Sequence, residues 1–242
     1  MREKLRIEMM TPEEFEDRMN ARPLIYLPCG LIEWHGRHLP LGLDGLKMYE
    51  IVLGCAERTG GVVLPLNWIG APGFGSFSGT MTYPADFVKD LLKRMLSQCA
   101  KLGAKVVALT TGHYGECQVN TVKSAAGEFT AEHPEVLVLA RPEYEEVLVD
   151  GEAPADHAGK WETSMAMHLF PHLVRLDLHR PGEERISRYG DEYADWPAEK
   201  RPWIWRDDLR ETASAELGKR AVLAIQDAIV GRVEELCRKA GI

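Results

Sequence analysis

Apolar positions along this chain follow two alternating patterns. Short, nearly continuous apolar runs at residues 24–32, 62–66, 105–109 and 136–140 predict buried strands. Between and after them, at 46–57, 85–102, 117–132, 162–169 and 213–236, apolar residues recur at helical spacing. The punctuation agrees with this division. Thr11-Pro12-Glu13-Glu14 combines a hydroxyl N-cap, a proline at the first helical position and a glutamate at the third, so a short helix should end before Arg22-Pro23. Gly60-Gly61 and Gly103 stop two of the later helices. Strands alternating with helices imply βαβ units, and hence an α/β fold whose mainly parallel sheet is covered on both faces. No repeat, low-complexity tract or boundary divides the chain, so residues 1–242 read as one domain. Two stretches stand outside the pattern: a Gly/Ser/Pro-rich loop at 70–82 containing Phe74 and Phe77, and a charged, Pro-, Trp- and Tyr-rich segment at 180–208 expected to form a long loop or cap.

Composition narrows the function classes. At 45% hydrophobic and 27% charged, the 242 residues fall in the globular range and exclude intrinsic disorder. A formal charge of -8 disfavours nucleic acid and anionic lipid as partners. No apolar run approaches the roughly 18 residues that span a bilayer, and the start lacks an apolar leader, so a cytoplasmic protein is expected. The five cysteines lack C-x-x-C spacing and read as reduced, buried small hydrophobes. Cys117, near His113, is the one alternative nucleophile, ranked below a metal site.

The chemistry gathers where strands end, because ligands of open α/β sheets bind beyond the carboxyl ends of the strands. The first strand runs into Glu33-Trp34-His35, where alternation puts Glu33 and His35 on one side; Asp44 returns after a Gly- and Pro-containing turn. The third strand ends in Thr111-Gly112-His113. Carboxylate and imidazole together are ligands for zinc, manganese or iron. A lone His or Glu after a strand usually caps or meets solvent; Glu33, His35, Asp44 and His113 together are harder to read that way. His38 could simply hydrogen-bond within its turn, and Glu116 could orient His113 or cap the next helix. A third segment, Asp156-His157-Ala158-Gly159-Lys160-Trp161-Glu162, opens a helix, so Glu162 is either a site carboxylate or an acid favoured by the helix dipole.

The string Leu27-Pro28-Cys29-Gly30-x-x-Glu33-x-His35-Gly36-x-His38-Leu39-Pro40-Leu41-Gly42-x-Asp44 resembles the signature of the creatininase (creatinine amidohydrolase) family. Gly112-His113-Tyr114-Gly115, His157-Ala158-Gly159-x-x-Glu162-Thr163-Ser164 and Thr212-Ala213-x-x-Glu216-x-Gly218 resemble its later blocks, in order and across essentially the whole chain. The resemblance implies a three-layer α/β/α sandwich, a two-metal hydrolytic site and a homo-oligomer, commonly a hexamer, for which the Trp-rich stretch 196–205 is a candidate interface. It implies that Glu33 and His113 hold one ion, that His35 holds the other, that Asp44 bridges them, and that His157 is catalytic. Creatininase itself has a ligand glutamate two residues after the second-block histidine. Gly115 stands there in this chain, so Glu162 is the expected replacement and Glu116 the competing one. Thr111 stands where relatives often have Asn, a second departure.

With neutral histidines, Glu33, Asp44 and Glu162 carry three negative charges, which two divalent ions and a hydroxide balance better than one ion does. Zinc is the first expectation, with manganese and iron open to the same ligands. The expected reaction is hydrolysis of a carbon–nitrogen bond in a small cyclic amide or formamide by metal-activated water, with His157, its tautomer held by Asp156, protonating the leaving nitrogen. Trp161, Trp203 and Trp205 would shape the pocket or pack in the core. Competing readings are hydrolysis of a peptide or lactone at the same site, and a metal-binding structural or regulatory protein without turnover.

Overall fold

A computed structural model describes residues 2–181 and 207–242. Most of the expected cap at 180–208, including Trp203 and Trp205, and all of the candidate interface at 196–205 lie outside the described residues. Helix α1 (Pro12–Ala21) begins at the expected capping box: Thr11 accepts from the Glu14 N–H, and the Glu14 carboxylate accepts from the Thr11 N–H. The chain then alternates β1 (Leu24–Cys29), α2 (Leu43–Thr59), β2 (Val62–Val63), α3 (Ala85–Lys101), β3 (Val106–Thr111), α4 (Glu116–Glu132) and β4 (Leu137–Pro142). Helix α5 (Lys160–Leu169), the short α6 (Leu209–Thr212) and α7 (Ala215–Ala240) complete it.

The four strands pair in parallel in the order β2-β1-β3-β4, with Leu24 opposite Val106, Cys29 opposite Thr111 and Val106 opposite Leu137. Strand alternation divides the core into two layers. Leu24, Tyr26, Val63, Val106 and Ala108 pack with Met48 and Ile51 of α2, Met165 of α5 and Ile225 and Ile229 of α7. Ile25, Leu27, Val62, Val107 and Leu109 face Met19 of α1, Leu92 and Leu96 of α3 and Val122 and Phe129 of α4. Helices therefore cover both faces of an all-parallel sheet, the three-layer α/β/α arrangement.

The chain leaves β1 for β2 on one side and later for β3 on the other. The neighbouring β1 and β3 thus flank the crevice where such sheets bind ligands.

Of the boundaries that differ from the periodicity, two bear on the site. Strand β2 is shorter than expected because Pro65 has no N–H to donate; beyond it pairing persists as isolated bonds from Leu64 N to Tyr26 O, Asn67 N to Pro28 O and Gly30 N to Asn67 O. Helix α2 starts three residues earlier than the apolar spacing suggests, which puts Asp44 in its first turn. Of the cysteines, four are buried as expected, and Cys117 is exposed. Among the described residues no helix is long and apolar enough to cross a membrane.

Helices α5 and α7 touch backbone to backbone at Gly218, where an added Cβ would overlap the Ser164 carbonyl oxygen. Gly218→Ala should cost about 3 kcal/mol through overpacking. Gly231→Ala, on the exposed side of the same helix with nothing near its would-be Cβ, should gain about 1 kcal/mol. Denaturant melts of the two variants against the parent check both signs.

Candidate active site

Each expected ligand sits where an element of the sheet layer ends or begins. Past β1 the backbone stays extended, tied by Gly30 N to Asn67 O, Glu33 N to Leu41 O and Met81 N to Ile32 O. Glu33 and His35 therefore turn the same way. His113 follows β3, Asp44 lies in the first turn of α2, and Glu162 lies in the first turn of α5. All five side chains are at most 3% exposed.

These five form two clusters that share one carboxylate. Glu33, Asp44 and His113 offer ligand atoms within 4.8 Å of one another, and so do His35, Asp44 and Glu162. His113 Nδ1 lies 3.1 Å from Glu33 Oε2 and 3.4 Å from Asp44 Oδ2; His35 Nε2 lies 3.0 Å from Asp44 Oδ1 and 3.5 Å from Glu162 Oε2. The other nitrogen of each ring meets a backbone carbonyl, His113 Nε2 at Ala71 O (3.2 Å) and His35 Nδ1 at Glu33 O (3.0 Å). A neutral ring donating its N–H to that carbonyl turns its lone pair toward the carboxylates, the orientation that metal-binding histidines adopt.

Charge in this space is strongly coupled. Burial opposes the His35 imidazolium, yet Asp44 and Glu162 beside it raise its pKa to about 10. His113 rises for the same reason beside Glu33 and Asp44. Burial disfavours both the Asp44 and Glu33 carboxylates, but His35 and His113 hold Asp44, and His113 with His157 holds Glu33, below the ordinary range. Asp44 Oδ2 has no hydrogen-bond partner although it is buried. A carboxylate oxygen left bare between two such clusters fits a cation ligand, and this donor set suits divalent zinc, manganese or iron.

Glu162, rather than Glu116, joins the cluster; Glu116 is exposed at the start of α4. Glu162 Oε2 accepts from Ala158 N (2.7 Å), while Oε1 accepts from Lys47 Nζ and from Tyr114 Oη, each at 2.8 Å. Against burial, Lys47 and His35 hold Glu162 down to about 2. Lys47 is itself fully buried and also contacts Glu143 Oε1 at 2.6 Å. Burial pushes Glu143 up to about 7 even so. Sequence reasoning missed Lys47 and Glu143. The available signals were the spacing of Lys47 three residues after Asp44, hence on the same helical face, and the place of Glu143 just past β4.

His157 reaches the same space. One of its ring nitrogens, with Glu33 and His35, falls within the same 4.8 Å limit. Its Nε2 meets Trp34 O at 2.8 Å, and burial together with His35 lowers its pKa. The following Ala158 sits at φ 50°, a left-handed conformation costly for a residue with a Cβ. The expected Asp156 support for His157 is corrected. The Asp156 carboxylate instead accepts from Gly159, Trp161 and Glu162 N–H and caps α5, because three unpaired amides at a helix start attract a carboxylate. His38 reaches beyond its own turn to Thr163 Oγ1 (2.9 Å) and is kept neutral by burial. Trp161 packs in the core layer of α7, away from the pocket.

Glu33, Asp44, His113, His157 and Glu162 line a cavity of about 320 Å³. Pro72, Gly73 and Phe74 form one wall, and Tyr114, Glu116 and Cys117 another. Phe74 N donates to Glu33 Oε1 (2.8 Å), and its ring lies 4.1 Å from that of His157. Trp34 stacks on Phe77 at 4.3 Å behind it.

The creatininase description, creatinine amidohydrolase, matches residues 8–233. The chain belongs to the creatininase family. It is therefore a metal-dependent hydrolase acting on carbon–nitrogen bonds, which removes the reading of a binding protein without turnover. Creatinine amidohydrolase from Pseudomonas putida is 27% identical over 189 residues, covering 69% of this chain and 73% of that one. The mycofactocin precursor peptide peptidase of Mycobacterium ulcerans (strain Agy99) is 30% identical over 166 residues, covering 64% of this chain and 62% of that one. A solved manganese form of creatininase superposes with a TM-score of 0.74 at 25% identity, covering 96% of this chain and 98% of that one.

In this member of the creatininase family the 70–82 loop touches the clusters through a glycine. A Cβ on Gly73 would overlap Glu33 Oε1 and approach His113 Cε1 to 2.7 Å. Gly73→Ala should weaken metal binding by about tenfold or more, the usual scale for disturbing what supports a ligand. Its melting temperature should stay near the parent's. Metal competition titrations beside a thermal melt separate the two quantities.

Proposed function

We propose that this protein hydrolyses a small cyclic amide or formamide with two divalent ions held at Glu33–Asp44–His113 and His35–Asp44–Glu162. One observation carries the reading: two buried ligand clusters share Asp44 at the floor of a cavity sized for a small molecule. When bound, such ions lower the pKa of water toward neutrality and polarise a carbonyl oxygen. Zinc is the first candidate, with manganese or iron accepted by the same donors.

The chain's own residues do the rest. Glu33, Asp44 and Glu162 offset the cationic charge. The carbonyls of Ala71 and Glu33 fix the faces of His113 and His35. His157, neutral at rest and steered by the Trp34 carbonyl, takes up a proton as water adds to the amide carbon and passes it to the departing nitrogen. Phe74, Trp34 and Phe77 shield that transfer from bulk water on one side. The cavity volume favours a compact substrate over an extended peptide. A panel of cyclic amides, formamides, lactones and short peptides tests this; turnover of the peptides alone would overturn it.

Metal-reconstituted protein should bind two ions per chain by elemental analysis, and Asp44→Asn should lose both because it alters the shared ligand. His35, raised to about 10, must shed its proton to accept an ion. Metal uptake below that pH should therefore release protons, and affinity should climb as pH rises. Calorimetry in buffers of different ionisation enthalpy reads this directly.

For His157→Asn the expected result is retained metal and a turnover rate lower by about 10²–10⁴-fold. Substrates with better leaving groups should suffer less. Metal loss in this variant would instead make His157 a ligand.

A further inference from the structure

The two clusters are electrostatically unequal. On the Glu33 side, Oε1 accepts one backbone N–H and Oε2 faces His113; among the described residues no lysine or arginine touches this carboxylate. On the Glu162 side, Oε1 is taken by the Lys47 ammonium and the Tyr114 hydroxyl, and Oε2 by a backbone N–H. Lys47 is fully buried in α2, one helical turn from the shared Asp44, and is also held by Glu143, just past β4, at 2.6 Å. Among the described residues, a fixed positive charge stands against one ligand and none against the other, which biases where a divalent cation settles. Inside a protein such a charge acts at low effective dielectric.

We propose that Lys47, anchored by Glu143, is a built-in counter-charge that makes the His35–Asp44–Glu162 position the weaker of the two metal positions. Ions then load in order, first at Glu33–Asp44–His113 and second beside Lys47. Lys47 is a positioning residue here: it acts through Glu162 and touches neither ion nor substrate. The ammonium partly neutralises Glu162 and repels the incoming cation. Glu143, 2.6 Å from the same ammonium, cancels that effect only in part. Tyr114 donates to the same oxygen without a charge, so its contribution separates hydrogen bonding from electrostatics.

The inference rests on the dinuclear reading above, and the experiment keeps the two apart. The probe is zinc alone, titrated into metal-free full-length protein by chelator competition, with stoichiometry and two dissociation constants as readouts. The parent should show two unequal constants. Glu162→Gln should abolish the weaker and Glu33→Gln the tighter, an assignment that needs no change at Lys47. Lys47→Met combined with Glu143→Gln removes the buried pair together, so neither charge is stranded. It should tighten the second ion by about tenfold and leave the first within about threefold. Tyr114→Phe should keep the inequality.

Equal constants in the parent, loss of the weaker ion from Glu33→Gln, or a second constant that is unchanged or weakened in the double variant would each overturn the proposal. Only one ion bound at saturation in both parent and double variant would sink the dinuclear reading itself. One ion in the parent and two in the variant would support the counter-charge.

Discussion

The architecture of this protein depends on a set of buried carboxylates that repel one another. Glu33, Asp44, Glu143 and Glu162 are all at most 2% exposed. Stripped of water, such charges are costly unless opposite charge or donors stand against them. The protein answers with His35 and His113 between the carboxylates, Lys47 behind them, and backbone amides from Phe74 and Ala158 in front. Asp44 Oδ2 still lacks a hydrogen bond. An acidic centre balanced by one lysine and by two histidines whose imidazolium form the carboxylates favour is one where protons can be exchanged for other cations.

Holding that arrangement falls to the parallel sheet. Neighbouring strands β1 and β3 deliver Glu33, His35 and His113 to one rim, α2 brings Asp44 in its first turn, and α5 brings Glu162 in its own. The two helix starts also favour the carboxylates they carry, since the positive end of a helix stabilises negative charge. The loop after β2 closes the other side through Gly73 and Phe74. Positions on rigid elements hold the candidate ligands, and a loop supplies one wall of the cavity. Substrate choice can thus change without disturbing the chemistry.

Much of this was legible in the residues. The apolar runs and the capping box placed strands and helices to within a few residues, because burial periodicity and helix-end hydrogen bonding are local. Glu33, His35, Asp44, His113 and Glu162 were recognisable as a set because their strings resemble a family signature and because strand ends are where such sheets bind ligands. Asp156 misled for a local reason too. Its place beside His157 suggested a pair, yet the same carboxylate lies just ahead of a helix start, and three free amides outcompete one imidazole.

The sequence by itself determined the alternating α/β order and the element ends to within a few residues, which follow from local contacts, and the identities of the candidate ligand groups, through the resemblance of their strings to a family signature. The resemblance already pointed to Asp44 as the shared ligand and to Glu162 ahead of Glu116; only the tertiary structure decided that Lys47 and Glu143 stand beside Glu162. Those contacts join residues from α2, β4 and α5, distant in the chain. Which of them meet is set by strand order and by how closely helices pack on the sheet, and neither leaves a trace in local spacing.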